Sequence, residues 1–242
     1  MKRTLYLIKT DFLSISREGT LLIISLAPLL VIMLLRMFLP MIENLLMNEK
    51  EFDLSEWYPV IFSFFIQFPP MLLGMAMGYV LLDERDENIL EFVSVTPAGK
   101  LNFLLSKMML PLIMSVIYVC VLIHGTALIS FPVVPSLLVA ILSALQGPML
   151  MLALASMASN KIEGLAVGKM LSIIFILPVV SLFLPGYWGL AFVVLPGWWV
   201  MKEFLTFYDG SFAIGLTYFI VGLFVTAIYN VILFHFYNRK IG

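Results

Sequence analysis

The sequence predicts an all-α integral membrane protein with six transmembrane helices, and two observations lead to this prediction. Hydrophobic residues make up 62% of the 242 residues and charged residues only 12%, whereas soluble domains are about 45–50% apolar and about 25% charged. The apolar residues also fall into long runs that are separated by short polar stretches. Because a helix needs about 20 residues to cross a bilayer, these runs predict a single transmembrane domain over residues 1–242.

The predicted elements begin with a surface helix at residues 1–19. Leu5, Ile8, Phe12 and Ile15 recur there at intervals of three and four, with charged residues on the other faces. This pattern is typical of an amphipathic helix that lies along a membrane surface. The six spans follow at about 20–39, 58–82, 101–129, 136–158, 164–184 and 212–236.

Three stretches depart from regular spans. Residues 43–57 are polar and are expected to form an outer loop, with Arg36 just before it reaching for the membrane interface. The run Gln146-Gly-Pro148 inside the fourth span predicts a polar point where the helix can break. Residues 185–209 contain two Pro-Gly pairs and several aromatic residues, which predicts an outer re-entrant segment or short interfacial helices.

The distribution of basic residues predicts the orientation of the chain. With the N-terminus on the cytoplasmic side, all but three of the 14 Lys and Arg residues lie on that side, and the exceptions are Arg36, Lys50 and Lys202. Cytoplasmic loops of membrane proteins carry an excess of Lys and Arg. Both termini are therefore expected to be cytoplasmic, as is the connection 83–100 between the second and third spans.

Two pairs of glycines have the spacing that allows close helix packing. Gly74 and Gly78 lie in the second span, and Gly164 and Gly168 begin the fifth. Glycines four residues apart let two helix backbones approach closely, and the sequence leaves open whether the neighbour belongs to this chain or to another copy. Gly168-Lys169 superficially resembles the end of a phosphate-binding loop. The spacing is one residue short and Met170 replaces the Ser or Thr that would hold magnesium, so we expect no ATP binding by this chain.

The most charged stretch of the chain, Asp83–Pro97, is acidic in its first half and apolar in its second half. Asp83 is a candidate N-cap, and acidic residues in a first helical turn are favoured by the helix dipole. A helix here would present Ile89, Phe92 and Val93 beside acidic side chains, which suits docking to a partner's groove. A solvated helix that merely joins two spans explains the same pattern, and the residues alone do not choose between these alternatives.

Enzyme signatures are weak. Asp83 and Asp86 have a D-x-x-D spacing, which predicts as an alternative a membrane-embedded lipid or prenyl-phosphate transferase that uses both residues. Such chemistry needs several carboxylates that converge on metal ions, and no second acidic cluster accompanies this one on the predicted cytoplasmic side. We therefore predict no catalytic residue and no metal ligand on this chain.

The layout of the chain resembles the permease subunit of a type-2 ATP-binding-cassette (ABC) exporter. The resemblance rests on the surface helix, the six spans, the re-entrant segment, and the run Asp83-Glu-Arg-Asp-Glu-Asn-Ile-Leu-Glu-Phe-Val-Ser-Val-Thr-Pro97. In that family an acidic pair, a small residue, Leu-Leu and Thr-Pro precede the third span, although Asn88-Ile89 stand here where Gly-Thr is frequent.

The resemblance implies a coupling helix at this run that contacts a separate ATPase subunit. The residues implied in that contact are Asp83, Glu84, Glu87, Ile89, Leu90, Phe92 and Val93. It also implies a location in the bacterial inner membrane and a pathway formed with a second permease copy or a similar permease. No cofactor is expected on this chain, because ATP and magnesium would bind to the partner ATPase.

Overall fold

The structure is a computed structural model that describes residues 19–50, 52–94 and 99–241. Within these ranges every regular element is helical, as ten α-helices and two 3-10 helices. The all-α class is therefore confirmed. The surface helix predicted for residues 1–19 lies outside the described residues, apart from Gly19, at which the first described helix begins.

The helices follow the apolar runs of the sequence. In chain order they are α1 (Gly19–Lys50), α2 (Tyr58–Phe65), α3 (Phe68–Asp86), α4 (Ile89–Ser94), α5 (Gly99–Gly125), α6 (Val133–Ala144), α7 (Gln146–Met157), α8 (Lys161–Val180), α9 (Pro196–Tyr208) and α10 (Phe212–Ile241). The 3-10 helices are Leu54–Trp57, before α2, and Gly186–Val194, before α9.

Six helical segments in the described part of the chain are long and apolar enough to cross a membrane. The first, third, fifth and sixth segments consist of α1, α5, α8 and α10, respectively. The second segment consists of α2 and α3, and the fourth of α6 and α7. The prediction of six transmembrane helices is confirmed. Short helices also occupy the segment before the last span, as the fold class predicted.

The first helix is longer than the predicted span. At 32 residues and about 1.5 Å per residue, α1 is about 48 Å long, whereas the hydrocarbon core is about 30 Å thick. The first half of the stretch 43–57, which we expected to be a loop, is therefore helical. Its Leu and Met residues are good helix formers, and the Tyr58 hydroxyl donates a 2.6 Å hydrogen bond to the Glu43 carboxylate.

Two of the spans are broken, and each break is stabilised by a side chain from a neighbouring helix. The second span breaks at Ile66 and Gln67, where the Ser143 hydroxyl donates a 3.0 Å hydrogen bond to the Ile66 carbonyl. The fourth span breaks at Leu145, whose carbonyl accepts a 3.0 Å hydrogen bond from the Asn230 amide. The helix after each break has a proline in its first turn. Proline lacks a backbone N–H group, but at that position the group would have no partner within the helix. The break in the fourth span thus lies at Leu145, one residue before the predicted run Gln146–Pro148.

The fourth span lies at the centre of the bundle. It is buried over 78% of its most apolar stretch, against 17% for α1 and 11% for α10. On α3, Gly74 packs directly against the backbone of Gly147 at the start of α7, and Gly78 packs against Leu154. This seam positions the end of α3, which leads into the charged connection.

Candidate functional site

The charged connection contains a short helix, α4, that is separated from α3 by one tight turn. The α3 helix continues to Asp86, and the chain turns at Asn88, whose φ of 59° is left-handed. Asn adopts this conformation more readily than most residues. The role of Asp83 as an N-cap is therefore wrong, because Asp83 lies in the last turn of α3 and the new helix begins at Ile89.

The apolar residues of α4 point in different directions. Phe92 is 71% exposed, whereas Val93 packs against the buried cluster that contains Met77, Leu81 and Phe103. Ile89 is half-buried, and the Leu90 side chain lies outside the described part of the structure. Among the predicted apolar contact residues whose side chains the structure describes, Phe92 is the one that a partner could reach without rearrangement.

The acidic residues beside α4 contact other parts of the same chain. The Asp83 carboxylate forms a 2.6 Å ion pair with Lys161, and Asp86 accepts a 3.3 Å hydrogen bond from the Lys161 backbone. Glu84 forms a 2.6 Å ion pair with Lys107, whose side chain is only 4% exposed. Glu87 is exposed. Both residues of the proposed D-x-x-D site thus contact the first residue of α8.

Two cations, which the sequence analysis used only to predict the orientation, hold the end of α7. Arg85 donates to the carbonyls of Ala155 and Ala158 at 3.2 and 2.8 Å. Lys240 donates to the carbonyls of Ser156 and Ala158 at 2.8 and 2.7 Å. The last carbonyls of a helix lack partners within the helix and carry its negative dipole end, so cations stabilise them.

The turn that follows α7 is fixed by a capping box. The Asn160 side chain accepts a 2.9 Å hydrogen bond from the backbone of Glu163, and the Glu163 carboxylate accepts one of 2.7 Å from the backbone of Ser159. This reciprocal pattern satisfies donors at the start of a helix. We call the contacts of Asp83, Arg85 and Asp86 with residues 155–161 the charged clamp.

The second pair of glycines also packs within the chain. A side chain at Gly164 would collide with Leu82, and one at Gly168 would collide with the Tyr79 hydroxyl and with Met75. Gly164 and Gly168 therefore bring α8 close to α3 just beyond the charged clamp. The two pairs of glycines thus lie in two seams of α3, one with α7 and one with α8.

The opposite end of the bundle has an apolar groove between α2 and α8. Its volume is about 340 Å³, which falls within the range of about 300–1,000 Å³ that is typical of small-molecule sites. Every lining residue is apolar: Val60, Ile61, Phe64, Phe65, Ile176, Val179, Val180 and Phe183. The groove can therefore accept an apolar or aromatic molecule, but offers no side-chain hydrogen bond.

A buried carboxyl group lies near the same end. Glu203 on α9 is fully buried, and neither of its oxygens has a hydrogen-bond partner among the described residues. This burial raises the pKa of the Glu203 carboxyl well above its usual range. Sequence reasoning missed this residue, although Val200, Phe204 and Phe207 at helical spacing mark the same face of α9 as buried.

Comparisons with known proteins agree with this architecture. A profile of the family described as "Fluoroquinolones export permease protein Rv2686c-like" matches residues 11–234. No solved structure matches the chain.

Two similar relatives carry the same description. They are the fluoroquinolones export permease proteins MT2760 and Rv2686c of Mycobacterium tuberculosis, from strains CDC 1551 / Oshkosh and ATCC 25618 / H37Rv. Each is 26% identical to this chain over 199 residues, which cover 81% of this chain and 79% of the relative. The expectation of an ABC-type permease, drawn from the layout of the chain, is confirmed, and the chain belongs to the Rv2686c-like family of fluoroquinolones export permease proteins.

Proposed function

We propose that this chain is the membrane-spanning subunit of an ATP-driven exporter and that α4 is its docking helix for a separate ATPase. The observation that carries this proposal is the exposure of Phe92, at 71%, on a helix of six residues beside the ion-paired ends of α3 and α5. A large exposed aromatic side chain in an aqueous connection loses unfavourable contact with water when a partner's groove covers it.

The contacts around α4 suit the transmission of force. Glu84 and Lys107 join the end of α3 to α5 on both sides of the α4 connection, and Val93 anchors α4 to the buried cluster. A push on Phe92 would therefore move α3 and α5 together instead of bending a loose loop. Rigid-body motion of packed helices is a common form of conformational coupling.

The apolar groove between α2 and α8 is our proposed substrate path. The relatives are named for the export of fluoroquinolones, which are flat, partly aromatic drugs that would suit walls of Phe, Ile and Val. The groove is open at the surface of the bundle, and a second permease copy or a similar permease would close it. Fluoroquinolone export is given by the names of the relatives, and we propose the same substrate class for this chain.

The proposed setting is the bacterial inner membrane, with both termini and α4 in the cytoplasm. The excess of Lys and Arg at the end of the bundle that carries α4 supports this orientation. ATP and magnesium would bind to the partner ATPase, which would use Asp83, Glu84, Glu87, Ile89, Leu90, Phe92 and Val93 as its docking region. Phe92 would dominate the contact, since Asp83, Glu84 and Val93 have partners within the chain.

Co-purification with the ATPase tests the docking proposal. The permease and a candidate ABC-type ATPase from the same organism would be expressed together, and the complex would be isolated through a tag on the permease. Phe92→Asp is expected to release the ATPase from the permease, because a charge would replace the exposed apolar contact. Cells that express this variant should then lose the drug resistance that the complex gives them. Val93→Asp would be a poor variant, since Val93 packs into the core.

Ile162→Asp is the matched control. Ile162 is 82% exposed in the first turn of α8, at the same end of the bundle, so this variant places the same charge on a similar surface. It should retain the ATPase. If Phe92→Asp retains the ATPase and its drug-stimulated turnover, or if both variants release it equally, α4 is not the docking helix.

A further inference from the structure

A second cavity lies at the same end of the bundle as α4, between the end of α7 and the last turns of α10. Its volume is about 490 Å³, and we call it the basic cleft, lined by Ser156, Met157, Leu233, Phe236, Arg239 and Lys240. The proposed docking to an ATPase does not use any of these residues. The cleft combines an apolar wall with a cationic rim.

The apolar wall faces the surroundings of the bundle. Phe236 is 61% exposed and Met157 is 54% exposed, and both belong to segments that are apolar enough to cross a membrane. In a bilayer, side chains at this position contact acyl chains. A purely polar anion, such as free phosphate, would gain nothing from this wall.

The cationic rim of the cleft consists of Arg239 and Lys240, and Glu163 is a negative charge near Lys240. Lys240 and Arg85 both donate to the Ala158 carbonyl, and Arg239 lines the same cleft as Lys240. Arg239 is exposed, and it has no hydrogen-bond or ion-pair partner among residues 19–50, 52–94 and 99–241. An unengaged guanidinium next to an ammonium group is suited to a phosphate, which it can contact through two N–H groups.

We propose that the basic cleft binds an anionic phospholipid, with its phosphate at Arg239 and Lys240 and one acyl chain along Leu233 and Phe236. Basic pockets beside transmembrane helices favour anionic headgroups for this reason. The bound lipid would cover the third N–H group of Lys240 while the other two hold the end of α7. It would thereby stabilise the junction between α7 and α10.

Lipid retention by the purified full-length chain tests this proposal. The protein would be titrated in a neutral detergent with phosphatidylglycerol or with phosphatidylcholine of the same acyl chains, and bound lipid would be counted by native mass spectrometry. We expect preferential retention of phosphatidylglycerol. A lipid-dependent rise in the unfolding temperature should accompany it, because a ligand that binds only the folded state stabilises that state.

Three variants connect the binding to the cleft. Arg239→Gln should weaken phosphatidylglycerol binding about fivefold, since each basic residue near an anionic surface contributes about that factor. Lys169→Gln removes an exposed cation from α8, away from the cleft, and should leave binding unchanged. Phe236→Ala, which alters the wall and not the charge, should weaken binding of long-chain phosphatidylglycerol more than of its short-chain analogue.

Three results would overturn the proposal. The first is equal retention of phosphatidylglycerol and phosphatidylcholine by the unaltered protein. The second is an equal loss in Arg239→Gln and Lys169→Gln, which would mean that lipid gathers around the whole bundle by charge alone. The third is displacement by glycerol phosphate as effective as displacement by phosphatidylglycerol, which would make the cleft a site for a free anion.

Discussion

The buried ion pair between Glu84 and Lys107 provides a quantitative test of how the α4 connection is held. The two groups are 2.6 Å apart, and their side chains are 16% and 4% exposed. The Lys107 ammonium also lies 5.1 Å from the centre of the Phe103 ring. Glu84→Gln keeps the shape of the side chain and removes the negative charge that lies 2.6 Å from the Lys107 ammonium group.

The expected cost follows from this burial. Removal of one partner of a buried ion pair destabilises a protein by about 3–5 kcal/mol. Because water still reaches part of Glu84, we expect the lower end of this range, about 3 kcal/mol. For a chain of this size each kcal/mol lowers the unfolding temperature by about 2–4 °C. Glu84→Gln should therefore lower the unfolding temperature by about 6–12 °C in detergent, measured by tryptophan fluorescence.

An exposed pair in the same chain is the matched control. The side chains of Asp83 and Lys161 are 39% and 56% exposed at the same separation of 2.6 Å, and exposed pairs contribute about 1 kcal/mol or less. Asp83→Asn should thus lower the unfolding temperature by less than about 4 °C. Our reasoning is refuted if Asp83→Asn is as damaging as Glu84→Gln.

A double variant separates the ion pair from the packing around it. Glu84→Gln combined with Lys107→Met removes both charges and keeps much of the volume of each side chain. Replacement of both members of a buried pair by uncharged groups is often nearly neutral. The double variant should therefore unfold at a higher temperature than Glu84→Gln alone, and strictly additive losses would show that the two charges do not interact.

Two further predictions concern the seam of α3 and the buried acid. Gly74→Ala should cost about 1–3 kcal/mol in thermal unfolding, because its methyl group would press on the Gly147 backbone, which cannot give way; Gly125→Ala, which meets only the Val121 side chain at 3.3 Å, is the control, and equal losses would contradict the prediction. Burial raises the pKa of Glu203, so above about pH 4.3 the folded state binds a proton that the unfolded chain has released. The unfolding temperature should fall as the pH rises above that value, and this fall should be smaller in Glu203→Gln; an identical slope in both proteins would show that Glu203 does not titrate as proposed.

The architecture followed from the sequence because membrane spans obey simple constraints. A span must be apolar and must satisfy its own backbone hydrogen bonds, so hydropathy alone predicted six spans, and Pro148 predicted the break in the fourth. The continuation of α1 to Lys50 was missed because the polar residues from Glu43 onward predicted a loop, whereas Leu45, Leu46 and Met47 continue the helix. The end of α3 was predicted too early, before the first charged residue, Asp83. The helix continues to Asp86 because the left-handed backbone at Asn88 is what ends it.

The candidate site was only partly predictable, because its contacts join residues that are distant in sequence. The charged stretch and Phe92 stood out locally, but the partners of its acids did not. Nothing near Asp83 in the sequence indicates Lys161, and nothing near Arg85 indicates the last carbonyls of α7. The burial of Glu203 likewise depends on helices that pack against α9. A single sequence therefore predicts local structure well, but it predicts contacts between distant residues poorly.

The charged clamp and the apolar groove lie at opposite ends of the same pair of spans, which suggests how the proposed export would be driven. The second span runs from the groove residues of α2, through the break at Ile66 and Gln67, to Asp83 and Asp86. The fifth span runs from Lys161, which both aspartates contact, up to Ile176–Val180 at the groove. In the proposed mechanism, a displacement of α4 would move both spans at the clamp, and the break in the second span would let α2 tilt separately from α3. A small motion at Phe92 would then change the separation of the two groove walls, and that separation is what a substrate path has to change.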